Sequence, residues 1–203
     1  MAEGDIIQTL EQQIENSLSL LRTIPSDKAN FRYAPDKWSV KQLLGHLIDS
    51  ERVFSYRALC FARNDQTPLP GYEQNDYVRE ADFDSRNLGD MAEEFATVRR
   101  ATIQLFRPLN ETEWLRHGKA NENDVSVRAL AYIIAGHELH HMGVLRSGYL
   151  QSSEDPRVLG FGIAKRILKS GTQFGAQKGA EGAVEAVDAV HAVRDFLSKF
   201  SAC

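Results

Sequence analysis

The sequence predicts an all-α protein: a four-helix bundle followed by a C-terminal helical extension. Apolar residues recur at three- and four-residue steps in four long segments. Prolines and capping residues bracket those segments. Between them, no stretch alternates as a half-buried strand does.

The first segment runs from about Gly4 to Thr23, with Ile7, Leu10, Ile14, Leu18 and Leu21 as its buried stripe, and Pro25 stops it. The second opens at Ser39, with Gln42 at capping-box spacing. Val40, Leu43, Leu44, Leu47, Phe54 and Ala58 carry it to about Ala62. Residues 64–86 then form a connection longer than the ~2–8 residues of a bundle turn, so it must cross the molecule or cover a site. Tyr72, Tyr77 and Phe83 give it apolar weight and predict that it packs. The third segment, about Leu88 to Leu109, buries Met91, Phe95, Val98, Ile103 and Phe106, and Pro108 ends it. A second loop, 110–125, leads to Ser126, which caps a fourth segment reaching about Leu150.

After Ser152 the texture changes. Glu154-Asp155-Pro156 is a break, glycines crowd 160–182, and an Ala-Val-x repeat begins at Ala183. A period of three winds apolar pairs around a helix and leaves no single buried face. The division expected is a bundle domain over 1–155 and a helical appendage over 156–203.

Bulk properties narrow the function. A chain of 203 residues with 42% hydrophobic content builds a real core. A net charge of −4 offers no basic footprint for nucleic acid. No run of about 18 apolar residues marks a membrane span, and Met1 to Gln12 lacks an apolar signal region. Two distant cysteines, Cys60 and Cys203, make no disulfide framework and point to a reducing cytoplasm.

The chemistry concentrates in Gly136-His137-Glu138-Leu139-His140-His141. His137 and His141 are four residues apart, a turn of about 40° and a rise of about 6 Å, so both rings leave one helix face. They fall within the stripe Leu130, Ile134, Val144 and Leu145 rather than opposite it. Neutral imidazoles buried there need partners for both ring nitrogens, and a metal ion supplies one per ring. His46 can add a third nitrogen. It lies roughly 100° from the centre of its own helix's apolar face and reaches the interior from a helix seam. Three histidines leave an open coordination position, the mark of catalytic rather than structural sites. The competing reading makes them core histidines held by backbone or hydroxyl groups. Glu138 follows His137 as in zinc proteases, but no downstream third ligand completes that motif.

The remaining polar residues read more plainly. Asp49 and Glu51 suit ion pairs with Arg52 or Arg57 better than catalysis, and Asp49, Glu51 or Glu138 can orient a ligand histidine from behind. Trp38 reads as a hydrophobic plug and Cys60 as a small buried residue. Arg99-Arg100 reads as a solvated face, His117 and His191 as surface residues, and Tyr132 as core or rim.

Several stretches together resemble the DinB/YfiT-like superfamily: Lys37-Trp38-Ser39-Val40-Lys41-Gln42-Leu43-Leu44-Gly45-His46-Leu47, Phe54 to Leu59, Pro68-Leu69-Pro70-Gly71-Tyr72, and Ser126 through His141. The likeness covers about residues 5–152. It implies an up-down-down-up bundle and a divalent metal, zinc or nickel, on His46, His137 and His141. It also implies a homodimer and a small-molecule substrate. Activities found in that family include thiol-dependent transferases and isomerases using low-molecular-weight thiols. The region after about residue 156 departs from the family pattern. The functional expectation is a metal-dependent transferase or hydrolase. Its rivals are a bundle that binds metal or ligand without turnover, and a structural scaffold.

Overall fold

The computed structural model describes residues 5–150. The expected appendage, with His191 and Cys203, lies outside the described residues. Four long helices carry the fold: α1 (Ile6–Arg22), α2 (Val40–Ala62), α4 (Leu88–Phe106) and α6 (Val127–Val144). Short pieces fill the connections: α3 (Gln74–Glu80), α5 (Glu111–Trp114) and a hairpin of β1 (His117–Ala120) and β2 (Asn123–Ser126).

Capping sets the helix starts. Asp5 accepts from the Ile7 amide, and Ser39 and Gln42 close the anticipated capping box. Asn87 accepts from Gly89 and Asp90, and Ser126 accepts from Ala129. The apolar stripes then meet: Leu10 and Ile14 of α1, Leu44, Phe54 and Phe61 of α2, Phe95 and Phe106 of α4, Leu130 and Ile134 of α6.

Side-chain pairs give the helix directions. Arg22 at the end of α1 reaches Glu93 near the start of α4, and Arg107 returns to Glu11, so α1 and α4 are antiparallel. Ser17 meets Glu138 and Gln13 meets the Ala135 carbonyl, so α1 and α6 run parallel. Ser39, the cap of α2, bonds Asp84 just before α4, and Glu51 meets Arg99 midway along both, so α2 and α4 run parallel. The order is up-down-down-up. Two parallel neighbours cannot be joined by a tight turn, which accounts for the long connection between α2 and α4.

That connection is packed, as its aromatics predict. Val78 and Phe83 are buried, although Tyr77 stays 47% exposed. Phe83 lies against Gly45, where an added Cβ would come within 2.5 Å of its ring. A glycine beside His46 therefore lets the connection close over α2.

The loop between α4 and α6 holds structure that no strand pattern announced. Asn121 and Glu122 form a two-residue turn, both at positive φ (51° and 65°), the geometry of a type I′ hairpin. The usual Asn-Gly signal is absent because glutamate stands where glycine is favoured. Four-residue strands also leave too little chain for alternation to register. Among the described residues, no helix is long and apolar enough to cross a membrane.

Candidate metal centre

Three rings from two helices meet inside the bundle. His137 and His141 leave one face of α6 as their spacing requires, and His46 faces them from α2. Nε2 of His137 lies 3.0 Å from Nε2 of His46 and 3.0 Å from Nε2 of His141. One ligand atom from each ring lies within 4.8 Å of the others. Zinc–nitrogen bonds of about 2.0–2.1 Å at tetrahedral angles place ligand nitrogens roughly 3.3 Å apart, so the spacing fits a divalent ion.

The surroundings hold the rings neutral. His46, His137 and His141 are 2%, 2% and 0% exposed. Burial, reinforced by neighbouring His140, lowers His46 to about 3. Burial first, then the adjacent rings, holds His137 and His141 well below the ordinary imidazole value. Neutral imidazole is the form that coordinates metal. Among the described residues, no carboxylate joins the cluster, so an ion held there would keep its full charge.

His46 is buried more deeply than a seam position suggests. Residues 43–48 are all buried, because Phe83 covers Gly45 and the Trp38 ring lies 4.7 Å from the His46 ring. A one-stripe description of α2 fails where added segments cover its outer face. Trp38 is thus a plug whose ring rests on a candidate ligand. Tyr149, in the wide turn Leu145–Tyr149 after α6, bonds the Trp38 carbonyl at 2.6 Å and fixes that wall. Phe54 packs edge-on to His137, ring centres 5.8 Å apart. His140 is half-buried on the helix flank, outside the triad.

The carboxylates able to stand behind the histidines are engaged in ion pairs, Asp49 with the Arg52 that its spacing suggests. Asp49 pairs with Arg52 at 3.4 Å. Glu138 turns away from the rings, accepting from Arg99 at 2.6 Å and from Ser17. What stands behind His46 is Ser50, whose Oγ lies 3.3 Å from Nδ1 and 2.7 Å from the Tyr72 hydroxyl. The signal for Ser50 was its place four residues after His46, on the same helix face. Nothing local pointed to Tyr72, because the connection's fold brings it in.

Arg99 is a further correction. It is fully buried rather than solvated, forks onto Glu51 at 2.7 and 2.9 Å, and also reaches Glu138 and Gln13. Arg100 is exposed, as read. Cys60 is buried with a free thiol, His117 is exposed and pairs with Asp124, and Tyr132 sits at the rim.

Comparison with known proteins agrees with this architecture. No curated protein matches the chain. Among solved structures it is similar to YfiT from Bacillus subtilis, a probable metal-dependent hydrolase with an unusual four-helix bundle topology. The TM-score is 0.63 at 17% identity, covering 75% of this chain and 91% of that one. At that identity the likeness speaks for the fold. The DinB superfamily profile matches residues 9–145, a span holding nearly all of the bundle and all three histidines. With its bundle order and that match together, the chain belongs to the DinB superfamily.

Proposed function

We propose that the protein is a metal-dependent enzyme acting on a small molecule, with His46, His137 and His141 as ligands of one divalent ion. The observation that carries this reading is the meeting of three buried, neutral imidazole nitrogens at one point. A core needs no such arrangement, since converging lone pairs repel unless a cation or proton lies between them. Zinc or nickel suits an all-nitrogen set. An ion on His46, His137 and His141 would supply Lewis-acid activation of a water or thiol near neutral pH. The reactions that follow are hydrolysis, for which the fold similarity to YfiT is supporting, and transfer of a low-molecular-weight thiol to an electrophile. The protein's own residues exclude bulk water, through Trp38 and Phe54, and hold the rings neutral and aimed. We further propose a cytoplasmic homodimer with no nucleic-acid partner.

The test is metal analysis of protein purified without a histidine tag. About one equivalent of metal, removed by chelator with loss of stability, is expected. Less than ~0.1 equivalent after reconstitution, with stability indifferent to chelator, ends the proposal.

One observation favours a second reading, a bundle that binds metal or ligand without turnover. Asp49 and Glu138, carboxylates close in sequence to the ligand histidines, are held in ion pairs away from the rings. Metal-dependent turnover with a thiol and a model electrophile, abolished in His141→Ala, would exclude it.

A further inference from the structure

We infer that Ser50 and Tyr72 form a hydroxyl relay that sets the tautomer and orientation of the His46 ring, linking the long connection to the metal centre. The inference rests on the three-histidine reading for its purpose, but not for its geometry.

The two nitrogens of the His46 ring face different neighbours. His46 Nε2 faces the other rings, 3.0 Å from His137 Nε2. For that nitrogen to present a lone pair inward, the ring proton must sit on Nδ1. Beyond Nδ1 lies Ser50 Oγ at 3.3 Å, fully buried. A serine that accepts the Nδ1 proton needs somewhere to place its own, and the Tyr72 oxygen is 2.7 Å away. The chain that makes Nε2 a ligand therefore runs Nδ1–H to Ser50, then Ser50 O–H to Tyr72. Reversed, the same atoms put the proton on Nε2 and close the centre to a cation.

Tyr72 is a fixed terminus. Burial pushes its phenol up to about 12, so it stays a neutral hydroxyl. The residues just before it are strapped to α2 and to the hairpin. Arg57 donates to the Pro70 carbonyl at 2.8 Å, while Leu69 exchanges backbone hydrogen bonds with Lys119 and Asn121 of the hairpin. Ser50 and Tyr72 are positioning residues: Ser50 contacts the ligand histidine, and Tyr72 acts on it through Ser50. Groups that hold a ligand histidine in this way raise metal affinity roughly 10–100-fold.

The experiment compares wild type, Ser50→Ala, Tyr72→Phe and, as a control, Ser55→Ala, whose hydroxyl bonds the Arg52 carbonyl away from the relay. Zinc affinity is read by chelator competition, the cobalt(II)-substituted proteins by their visible bands, and the metal-free proteins by ring ¹⁵N shifts of His46. Ser50→Ala is expected to weaken zinc roughly 10–100-fold and to shift the cobalt bands. Tyr72→Phe should do so less strongly, with Ser55→Ala matching wild type. Equal zinc affinity and unchanged bands in Ser50→Ala overturn the relay. If wild type itself takes up no metal, the three-histidine reading falls and the ¹⁵N shifts decide the relay alone. His46 shifts altered by Ser50→Ala but not by Ser55→Ala sustain it, and shifts unchanged by both overturn it.

Discussion

His137 and Glu138 are neighbours on α6, and Ser50 and Glu51 are neighbours on α2, yet each pair belongs to two different buried polar layers. One layer is the histidine cluster, three neutral bases of one kind aimed at a common point. The other joins all four long helices: Arg99 of α4 forks onto Glu51 of α2, bonds Glu138 of α6 and reaches Gln13 of α1, while Ser17 of α1 caps Glu138. Burial works against the Arg99 charge, but Glu51 and Glu138 together hold its pKa above the ordinary value. Donors there meet acceptors, and one guanidinium serves two carboxylates, although burial still raises the pKa of Glu138. Burial of the same depth thus has two outcomes. A layer that satisfies itself fixes the packing, whereas one whose like groups converge asks for something from outside.

The charged layer gives the largest effect. Arg99→Met leaves two carboxylates buried without their counterion, and breaking such a pair costs about 3–5 kcal/mol. Urea unfolding of the metal-free protein should show that loss. Stability equal to wild type would mean that the layer is not the clamp described. The histidine layer should behave in the opposite sense. Zinc at about a thousand times its Kd should raise wild-type stability by about 4 kcal/mol, and should leave His137→Ala unmoved. A zinc-dependent rise that survives in His137→Ala would place the ion elsewhere.

Acid sharpens the contrast further. The three rings are neutral when folded and titrate near 6.5 when unfolded. As pH falls below about 6.5, the unfolded chain takes up protons that the folded chain refuses, so metal-free stability drops. Each ring contributes about 1.4 kcal/mol per pH unit, and for His46 the window extends down to about pH 3. Replacing His46 by Asn should lower the slope of unfolding free energy between pH 6 and 5 by about one proton's worth. An unchanged slope would show that this ring is protonated in the folded protein.

How much of this was legible depended on the kind of signal. Helix spans, the Ser39–Gln42 box and the His137/His141 pair follow from spacing within one segment, and all appear at the expected positions. Those marks are local, because a helix fixes which residues share a face. The charged layer left a fainter local mark. Arg99 falls in register with Phe95, Thr102, Ile103 and Phe106, and Glu51 falls in register with Leu47, Ile48 and Phe54. Each is a polar break in an apolar stripe. Adjacency to Arg100 made Arg99 resemble surface, although neighbours on a helix point about 100° apart. The Tyr72 contact and the hairpin left no such mark. The first depends on where the long connection crosses the bundle, which no periodicity encodes, and the second on strands too short for alternation to register.

The smallest expected effect isolates register from residue type. Arg99 and Arg100 carry the same side chain at adjacent positions, one fully buried and one exposed. Among the described residues, no ion pair involves Arg100. Arg100→Met should therefore change stability by no more than about 0.5 kcal/mol, against several for Arg99→Met. Both substitutions remove one positive charge and add the same thioether, so composition and net charge change identically. The difference between them measures what the buried carboxylates require of their counterion. If the two variants lost equal stability, net charge rather than the four-helix junction would be setting stability. The contrast between a self-satisfied layer and an open one would then lose its energetic basis.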